Sequence, residues 1–299
     1  MKNLPKILIT GAGGFIGQYA CRYFEENGYK VYAAHRTHPP SAPKGRSVEV
    51  CNLLDRNQVR HLIKKVQPNI VLHLAAQNDA GQSWKSPVHT IETNVLSTLY
   101  LVDAIREMNL SCRFITAGSA LQSDLNHISA LPHPYSLSKT LQVLIAQAWE
   151  ILFQLDVVIA KPANIIGPGP SHGICSILAK KIVELEQRGG HDPIEITSLK
   201  SRRDFLDVRD AVSGLKYLIE DGKNGEVYEI ASGVSLSIGE VIDYFKTLTP
   251  VQFTIHSHSD QGDCFTGSPQ KLMDLGWKPK IPFEQSFEDL LNYYRNQII

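Results

Sequence analysis

The sequence predicts an α/β protein, a doubly wound parallel sheet followed by a smaller, mixed C-terminal lobe. Three observations carry that prediction. Apolar runs of strand length alternate with segments of helical pattern up to residue 160, the rhythm of βαβ units. The first run, Lys6-Ile7-Leu8-Ile9-Thr10, passes straight into Gly11-Ala12-Gly13-Gly14-Phe15-Ile16-Gly17, a turn with glycines at spacing three. The rhythm then breaks after Pro162, where Gly167-Pro168-Gly169-Pro170 reads as an irregular loop. A Rossmann-type dinucleotide-binding domain is expected over 1–162, rejoined by about 203–233, with a second lobe over about 163–202 and 234–299.

The expected strands are Ile7–Thr10, Lys30–His35, Ser47–Val50, Asn69–Ala75, Arg113–Ala117 and Val157–Ala160. Between the third and fourth, Asp55 can cap a helix whose apolar stripe is Val59, Leu62, Ile63 and Val66, and Pro68 stops it. Past the proline-glycine loop, Ile174–Arg188, Ser237–Leu248 and Phe283–Asn296 read as helices, and Glu226–Ala231 as a strand that can rejoin the sheet.

Composition narrows the function. The 299 residues are 43% hydrophobic and 20% charged, and 30 basic side chains balance 30 acidic ones. No global field draws in nucleic acid or an anionic membrane, so neither is expected as a partner. Five cysteines, none in a Cys-x-x-Cys pair, fit a reducing compartment, and there is no apolar stretch of membrane-spanning length. The first strand starts too early to leave room for a signal peptide, so a cytoplasmic protein is expected. His256-Ser257-His258 lacks a third ligand nearby in sequence, and no metal is expected.

The glycine turn is suited to a pyrophosphate. Gly11, Gly14 and Gly17 let the backbone turn tightly, approach phosphates and pack the next helix on its strand, while that helix's N-terminus presents N–H groups to the anion. Dinucleotide folds selective for the unphosphorylated ribose usually carry an acid at the end of the second strand. Here that place reads Ala34-His35-Arg36-Thr37-His38, with no carboxylate between Glu26 and Glu49. The missing acid, together with Arg36 as a planar cation for a 2′-phosphate, favours NADP(H).

Tyr135 and Lys139 stand four residues apart at the start of a helix, so they share one face. An ammonium about 4 Å from a phenol at an effective ε of about 20 contributes about 4 kcal/mol, enough to bring a phenol down by about three units. Such a pair can give a proton to a carbonyl or take one from an alcohol. Ser119 follows the strand Phe114-Ile115-Thr116, placing a hydroxyl at a carboxyl end, where ligands bind in these sheets. It can polarise a substrate oxygen, or simply form a turn.

Thr10-Gly11…Gly14…Gly17, His73-Leu74-Ala75-Ala76, Ser119 and Tyr135…Lys139 together resemble the extended short-chain dehydrogenase/reductase family, in its nucleotide-sugar branch. Within that branch, Lys161–Gly169, Arg202–Asp210 and Leu275-Gly276-Trp277-Lys278-Pro279 are most similar to the GDP-4-keto-6-deoxy-D-mannose reductases, which use NADPH to reduce the 4-keto group of a nucleotide-linked deoxysugar. The resemblance implies that Tyr135 donates the proton, Ser119 hydrogen-bonds the same oxygen, and Lys139 lowers the tyrosine's pKa and holds the nicotinamide ribose. It implies cofactor contacts from Gly11, Gly14, Phe15, Ile16, Gly17, Arg36, Asn52, Leu53, Leu74, Ala75 and Ala76, besides Tyr135 and Lys139. Asn164 and Arg203 would reach the nucleotide-diphosphate sugar, making the second lobe the sugar-nucleotide lobe. A homodimer through helices like Val88–Met108 and Tyr135–Leu152 is common in the family.

Departures shape these expectations. Ala120-Leu121-Gln122-Ser123-Asp124 follows Ser119 where relatives often carry an acid and a Tyr-Gly pair, and this absence of an acid/base pair excludes a dehydratase. The segment from Ser119 to Tyr135 is short, which opens the sugar pocket, and Asn52 stands where relatives more often have Asp. An arginine that commonly clamps the diphosphate is replaced near His256-Ser257-His258. Two other readings stand beside the ketoreductase: a nucleotide-sugar 4-epimerase with tightly held NAD, and a non-catalytic dinucleotide-binding scaffold or sensor.

Overall fold

A computed structural model describes residues 4–39, 46–123, 129–189 and 193–297. The chain forms two compact units, Met1–Lys161 with Leu215–Tyr228, and Pro162–Gly214 with Glu229–Ile299.

The first unit opens with β1 (Lys6–Thr10), α1 (Phe15–Glu26), β2 (Lys30–His35), β3 (Ser47–Val50), α2 (Arg56–Val66) and β4 (Ile70–His73). It continues through α3 (Ala80–Lys85), α4 (Pro87–Ile91), α5 (Ser97–Glu107), β5 (Arg113–Ala117), α6 (Pro134–Phe153) and β6 (Asp156–Pro162). Its strands read as unbroken apolar runs because a parallel sheet is covered on both faces; Ile7, Leu8, Ile9, Val71 and Leu72 are all fully buried. Asp55 caps α2 as its sequence indicates, accepting from Asn57 N and Gln58 N, and Gln67 closes it in the left-handed region at φ 48°. The stripe Val59, Leu62, Ile63, Val66 packs into a core with Leu101, Ile105 and Phe114.

Two local features differ from the expected elements. The fourth strand ends at His73, and Leu74 to Ala76 leave it as a loop tied back to β1, with Leu74 N donating to Thr10 O at 3.3 Å. The expected helix 88–108 is interrupted by a π-helical turn over Glu92–Leu96 between α4 and α5. Asn94 in that turn is fully buried, and its bonds, described below, account for the local unwinding.

The chain then adds β7 (Asn164–Ile166), α7 (Ile174–Arg188), β8 (Ile194–Ile196), β9 (Arg202–Asp207), α8 (Val208–Asp221), β10 (Val227–Ile230), β11 (Ser235–Ser237), α9 (Ile238–Thr247), β12 (Ile255–Ser257), α10 (Gln270–Met273) and α11 (Phe283–Gln297). The main sheet has seven strands in the order β3-β2-β1-β4-β5-β6-β10, and β1 pairs in parallel with both β2 and β4. Strand order therefore reverses between β1 and β4, the place where such sheets bind ligands at their carboxyl ends.

The second unit carries a three-stranded sheet, β11-β9-β7, and the pair β12-β8. Strand β9 stays in this unit because it pairs with both β7 and β11, so the segment counted with the first unit is 215–228, shorter than the 203–233 expected from sequence. A core of Ile182, Phe205, Phe245, Phe287 and Leu291 holds α7, α9 and α11 on it. The nonapeptide Arg202–Asp210 supplies three buried acids. Asp204 accepts from Ser232 N, Ser232 Oγ, Gly233 N and Gly267 N at 2.7–3.2 Å. Asp207 holds Arg209 and Ser286, and Asp210 accepts from Lys280 N and Ile281 N at 2.8 Å. These acids knit the unit together, each buried charge matched by donors as burial requires.

Candidate active site

The glycine turn lies at the carboxyl end of β1, and the structure separates what each glycine does there. Gly11 adopts φ +68°, and a Cβ on it would stand 2.6 Å from Ala75 N, so turn and β4 loop meet closely where the strand order reverses. A Cβ on Gly17 would stand 2.1 Å from Gly11 O, which leaves only glycine able to seat α1 on the turn. Gly14 is the N-cap of α1 and offers no side-chain bond to the helix's first N–H groups. Phe15 and Ile16 form the first turn, with Phe15 edge-on to Tyr19. This cradle, closed to any Cβ at two places and lined by uncapped N–H donors, fits a dinucleotide pyrophosphate.

Around it, His35 ends β2 beneath Gly13, and its Nδ1 would lie 3.2 Å from a Cβ at Gly13; Arg36 beyond it is exposed. Asn52 and Leu53 form the turn into α2, where Asn52 Oδ1 accepts from Leu54 N at 3.2 Å and Leu53 packs on the core. Leu74, Ala75 and Ala76 are half-buried in the loop after β4.

A buried polar row crosses the sheet at these carboxyl ends, pairing Thr10 of β1 with His73 of β4 and His73 with Thr116 of β5. His73 Nε2 meets Thr98 Oγ1 at 3.0 Å and Ser97 Oγ at 3.3 Å, and both hydroxyls already donate to backbone carbonyls. They must therefore accept from Nε2–H, which leaves Nδ1 bare to accept from Thr10 Oγ1 at 2.7 Å. Thr10 Oγ1 in turn accepts from Ala75 N at 3.3 Å, so a neutral His73 of defined tautomer steadies the turn and the β4 loop together. Burial, with the Lys139 charge adding to it, pulls its pKa down to about 3.

The structure brings Ser119, Tyr135 and Lys139 to the same end of the sheet. Tyr135 and Lys139 are 7% and 3% exposed, and Tyr135 Oη donates to Ser119 Oγ at 3.3 Å. Ser119 Oγ also accepts from Leu121 N at 3.1 Å, and among the described residues its own proton meets no acceptor. Lys139 Nζ donates to Ala117 O and to Gln142 Oε1, both at 2.5 Å. His133 caps α6 through Nδ1, which accepts from Ser136 N at 3.0 Å.

One electrostatic expectation is corrected here. Burial pushes the Tyr135 phenol up, against a smaller downward pull from Ser119, and burial brings Lys139 down to about 7. In the chain by itself the lysine does not acidify the phenol. Its Nζ is bonded to two neutral oxygens, Ala117 O and Gln142 Oε1.

The structure reveals further residues that pattern reading missed. Asn94 Oδ1 accepts from Gln77 N at 2.7 Å, and its Nδ2 donates to Gln77 O at 2.9 Å and to Ser138 Oγ at 2.8 Å. Ser138 Oγ donates to Tyr135 O at 2.7 Å, so the π turn fixes the start of α6 through one amide. Gln142 holds Lys139. Neither residue carries a sequence signal beyond being an amide inside an apolar helical pattern.

Asn164 and Arg203 belong to the second unit. Asn164 Nδ2 donates to Asp204 O at 3.1 Å, and Arg203 Nη2 bonds both oxygens of Asp263 at 2.8 Å. Asp263, with its carboxyl 71% exposed, thus occupies the Arg203 guanidinium. His256 and His258 flank Glu195 of the neighbouring strand at 3.2 and 3.1 Å; among the described residues no group of three or more is arranged to hold a metal ion. Ala120 to Ser123 are described, whereas Asp124 and the rest of 124–128, the middle of the shortened segment, lie outside the described residues. No helix among the described residues is long and apolar enough to cross a membrane.

A doubly wound sheet with a phosphate-type turn at its switch point and a serine, tyrosine and lysine beyond it is the arrangement of an extended short-chain dehydrogenase/reductase. The chain belongs to the NAD dependent epimerase/dehydratase family, whose profile matches residues 7–231. It is 27% identical to GDP-6-deoxy-D-mannose reductase of Pseudomonas aeruginosa over 98% of each chain. Among solved structures it is similar to RMD from Pseudomonas aeruginosa complexed with NADPH, with a TM-score of 0.82 at 26% identity over 98% of this chain and 99% of that one. It shares its fold with the Thermus thermophilus UDP-glucose 4-epimerase in complex with NAD, with a TM-score of 0.84 at 21% identity over 97% and 99% of the two chains.

Proposed function

We propose that this protein reduces the 4-keto group of a nucleotide-linked 4-keto-6-deoxyhexose, of the GDP-4-keto-6-deoxymannose type, with NADPH as reductant. The observation that carries the reading is the buried Tyr135 phenol, whose Oη donates to Ser119 Oγ at 3.3 Å and so stands as an O–H donor beside the serine. That is the form a reductase needs, because the sugar oxygen becomes an alkoxide, a far stronger base than phenolate. The relatedness to the Pseudomonas reductase supports the same choice.

The cradle at Gly11, Gly14 and Gly17 would hold the pyrophosphate, with Leu74 to Ala76 beside it and Asn52 and Leu53 toward the adenine. A β2 end with His35 and exposed Arg36, and no carboxylate, favours the 2′-phosphorylated nucleotide. When bound, NADPH supplies the hydride. Ser119 directs its free proton at the keto oxygen, Tyr135 delivers the proton that completes the alcohol, and Lys139 holds a ribose hydroxyl. Asn164 and Arg203 are proposed to take the substrate's diphosphate side, with ligand phosphate replacing the Asp263 carboxylate on Arg203. Arg203→Ala is then expected to raise KM with little change in kcat.

We also propose a homodimer. An open groove of about 490 Å³ is lined by Trp84, Val88, Ile91, Leu131, Pro134 and Leu137, with Val88 69% and Trp84 66% exposed. Apolar surface of this kind marks an interface; sedimentation should show a dimer that Val88→Asp converts to monomer, and a monomeric wild type would refute it.

The functional test is incubation with NADPH and GDP- or dTDP-linked 4-keto-6-deoxy sugars, following loss of reduced nucleotide. Oxidation with one of them is expected. Interconversion of C4 epimers without net oxidation would replace the reductase by the epimerase, and binding without turnover would replace it by a scaffold.

A further inference from the structure

Gln142 takes no part in the chemistry above, yet it is the side chain bonded directly to the candidate lysine. It lies on α6, one turn beyond Lys139, and is 1% exposed. Its Oε1 accepts from Lys139 Nζ at 2.5 Å, while its Nε2 donates to Thr116 Oγ1 at 2.9 Å. Thr116 is fully buried on β5, in the polar row with His73. The other bond of Lys139 goes to Ala117 O, the next residue of the same strand.

The chemistry of an amide matters at this place. Thr116 takes the N–H end of the carboxamide, which turns the oxygen end to the lysine and fixes which way the group faces. An ammonium has three N–H donors, and two of them are used by Ala117 O and Gln142 Oε1, leaving one for a ligand oxygen. A carboxylate here would bind the ammonium as an ion pair. The amide holds it in place while leaving its charge uncompensated. Among the described residues, the titratable group that feels the lysine's charge is His73 of β4; Tyr135 lies one turn back on α6, and the hydrogen-bond acceptors on the lysine are both neutral.

We propose that Gln142 is a positioning residue: anchored on Thr116, it fixes the Lys139 ammonium through a neutral oxygen so that a single N–H remains for the bound ligand. This rests on the reading of Lys139 as a ligand-facing group. Burial brings Lys139 down to about 7, inside the range a titration can follow.

The test is the titration of Lys139 in the nucleotide-free chain, by NMR of lysines carbon-13-labelled at Cε. The signal is assigned by its loss in Lys139→Met. In Gln142→Glu the midpoint is expected to rise by about 1–3 pH units, as for any cation given a carboxylate within about 4–6 Å. In Gln142→Leu, which keeps the bulk and removes both polar atoms, the midpoint is expected to fall, and NADPH, followed by its fluorescence, to bind several-fold more weakly. Thr116→Val cuts the anchor alone and is expected to give a smaller fall, which provides a test even where a charge at 142 prevents folding. A Lys139 midpoint unchanged in Gln142→Leu and Thr116→Val overturns the proposal, whatever Gln142→Glu does. The titration needs no substrate, so a wild-type chain that turns over no keto sugar would refute the proposed function and leave this result standing.

Discussion

Replacing Gly17 by alanine tests the nucleotide cradle at its tightest point. The added Cβ would stand 2.1 Å from Gly11 O and 2.9 Å from Ala12 Cα, both backbone atoms with no rotamer to yield. Relaxing the first contact toward an ordinary separation of about 3.5 Å means moving turn and helix apart by about 1 Å or more. Overpacking of this kind costs about 1–3 kcal/mol, or a fall in Tm of about 2–10 °C for a chain of this size. The displaced N–H donors should weaken NADPH about tenfold, the equivalent of about 1.4 kcal/mol. Gly13 is the control in the same turn, because a Cβ there meets only the His35 ring, at 3.2 Å, which can swing aside. Gly13→Ala should cost less than about 1 kcal/mol. Thermal melts and fluorescence titration of both variants decide it. Equal losses in the two, or a Gly17→Ala chain that melts like the wild type, would refute the steric reasoning.

Three further outcomes follow from buried charges. Lys139 holds its proton less firmly folded, at about 7, than its ordinary value of 10.5, so between those values the unfolded chain binds the extra proton and stability rises with pH. Lys139→Met should therefore stabilise the chain by a few kcal/mol at pH 6, with the gain shrinking toward pH 10, in urea melts across pH; a pH-independent gain contradicts this. His73 is likewise depressed, to about 3 from 6.5, so stability present above 6.5 is lost as pH falls toward 3. His73→Gln should flatten that acid limb while losing about 1–3 kcal/mol at neutral pH from the broken network, and an unchanged limb counts against it. In the second unit, Asp204→Ala strips the partners from three backbone N–H groups, and should cost at least about 3 kcal/mol by urea denaturation; a loss below about 1 kcal/mol would show that water replaces the carboxylate.

Much of this was legible in the sequence because it depends on local pattern. Fully covered parallel strands must be apolar throughout, so Ile7–Thr10 and Ile70–Leu72 announce themselves, and Asp55 and Pro68 bracket α2 by rules that act within one turn. Gly11, Ser119, Tyr135 and Lys139 were found by their places after strands and on a helix face. What remained hidden depends on contacts far apart in sequence. The π turn follows from Asn94 bonding Gln77 and Ser138, residues 17 and 44 positions away. Arg203 pairs with Asp263, 60 residues on, and Asp204 is a buried anchor that reads in sequence as an exposed charge. The phenol and lysine illustrate the limit most sharply. Their spacing was visible, but the direction of both pKa shifts depends on lost hydration, which only the packed fold determines.

The most direct test measures NADPH oxidation by the wild type and Tyr135→Phe on GDP-4-keto-6-deoxymannose, with nucleotide affinity measured alongside. The wild type should oxidise NADPH in step with alcohol formation, and Tyr135→Phe should lose at least about a hundredfold in kcat with a far smaller loss of NADPH affinity, as expected when a general acid is removed. Undiminished turnover in Tyr135→Phe would contradict the assignment of that phenol as the proton donor.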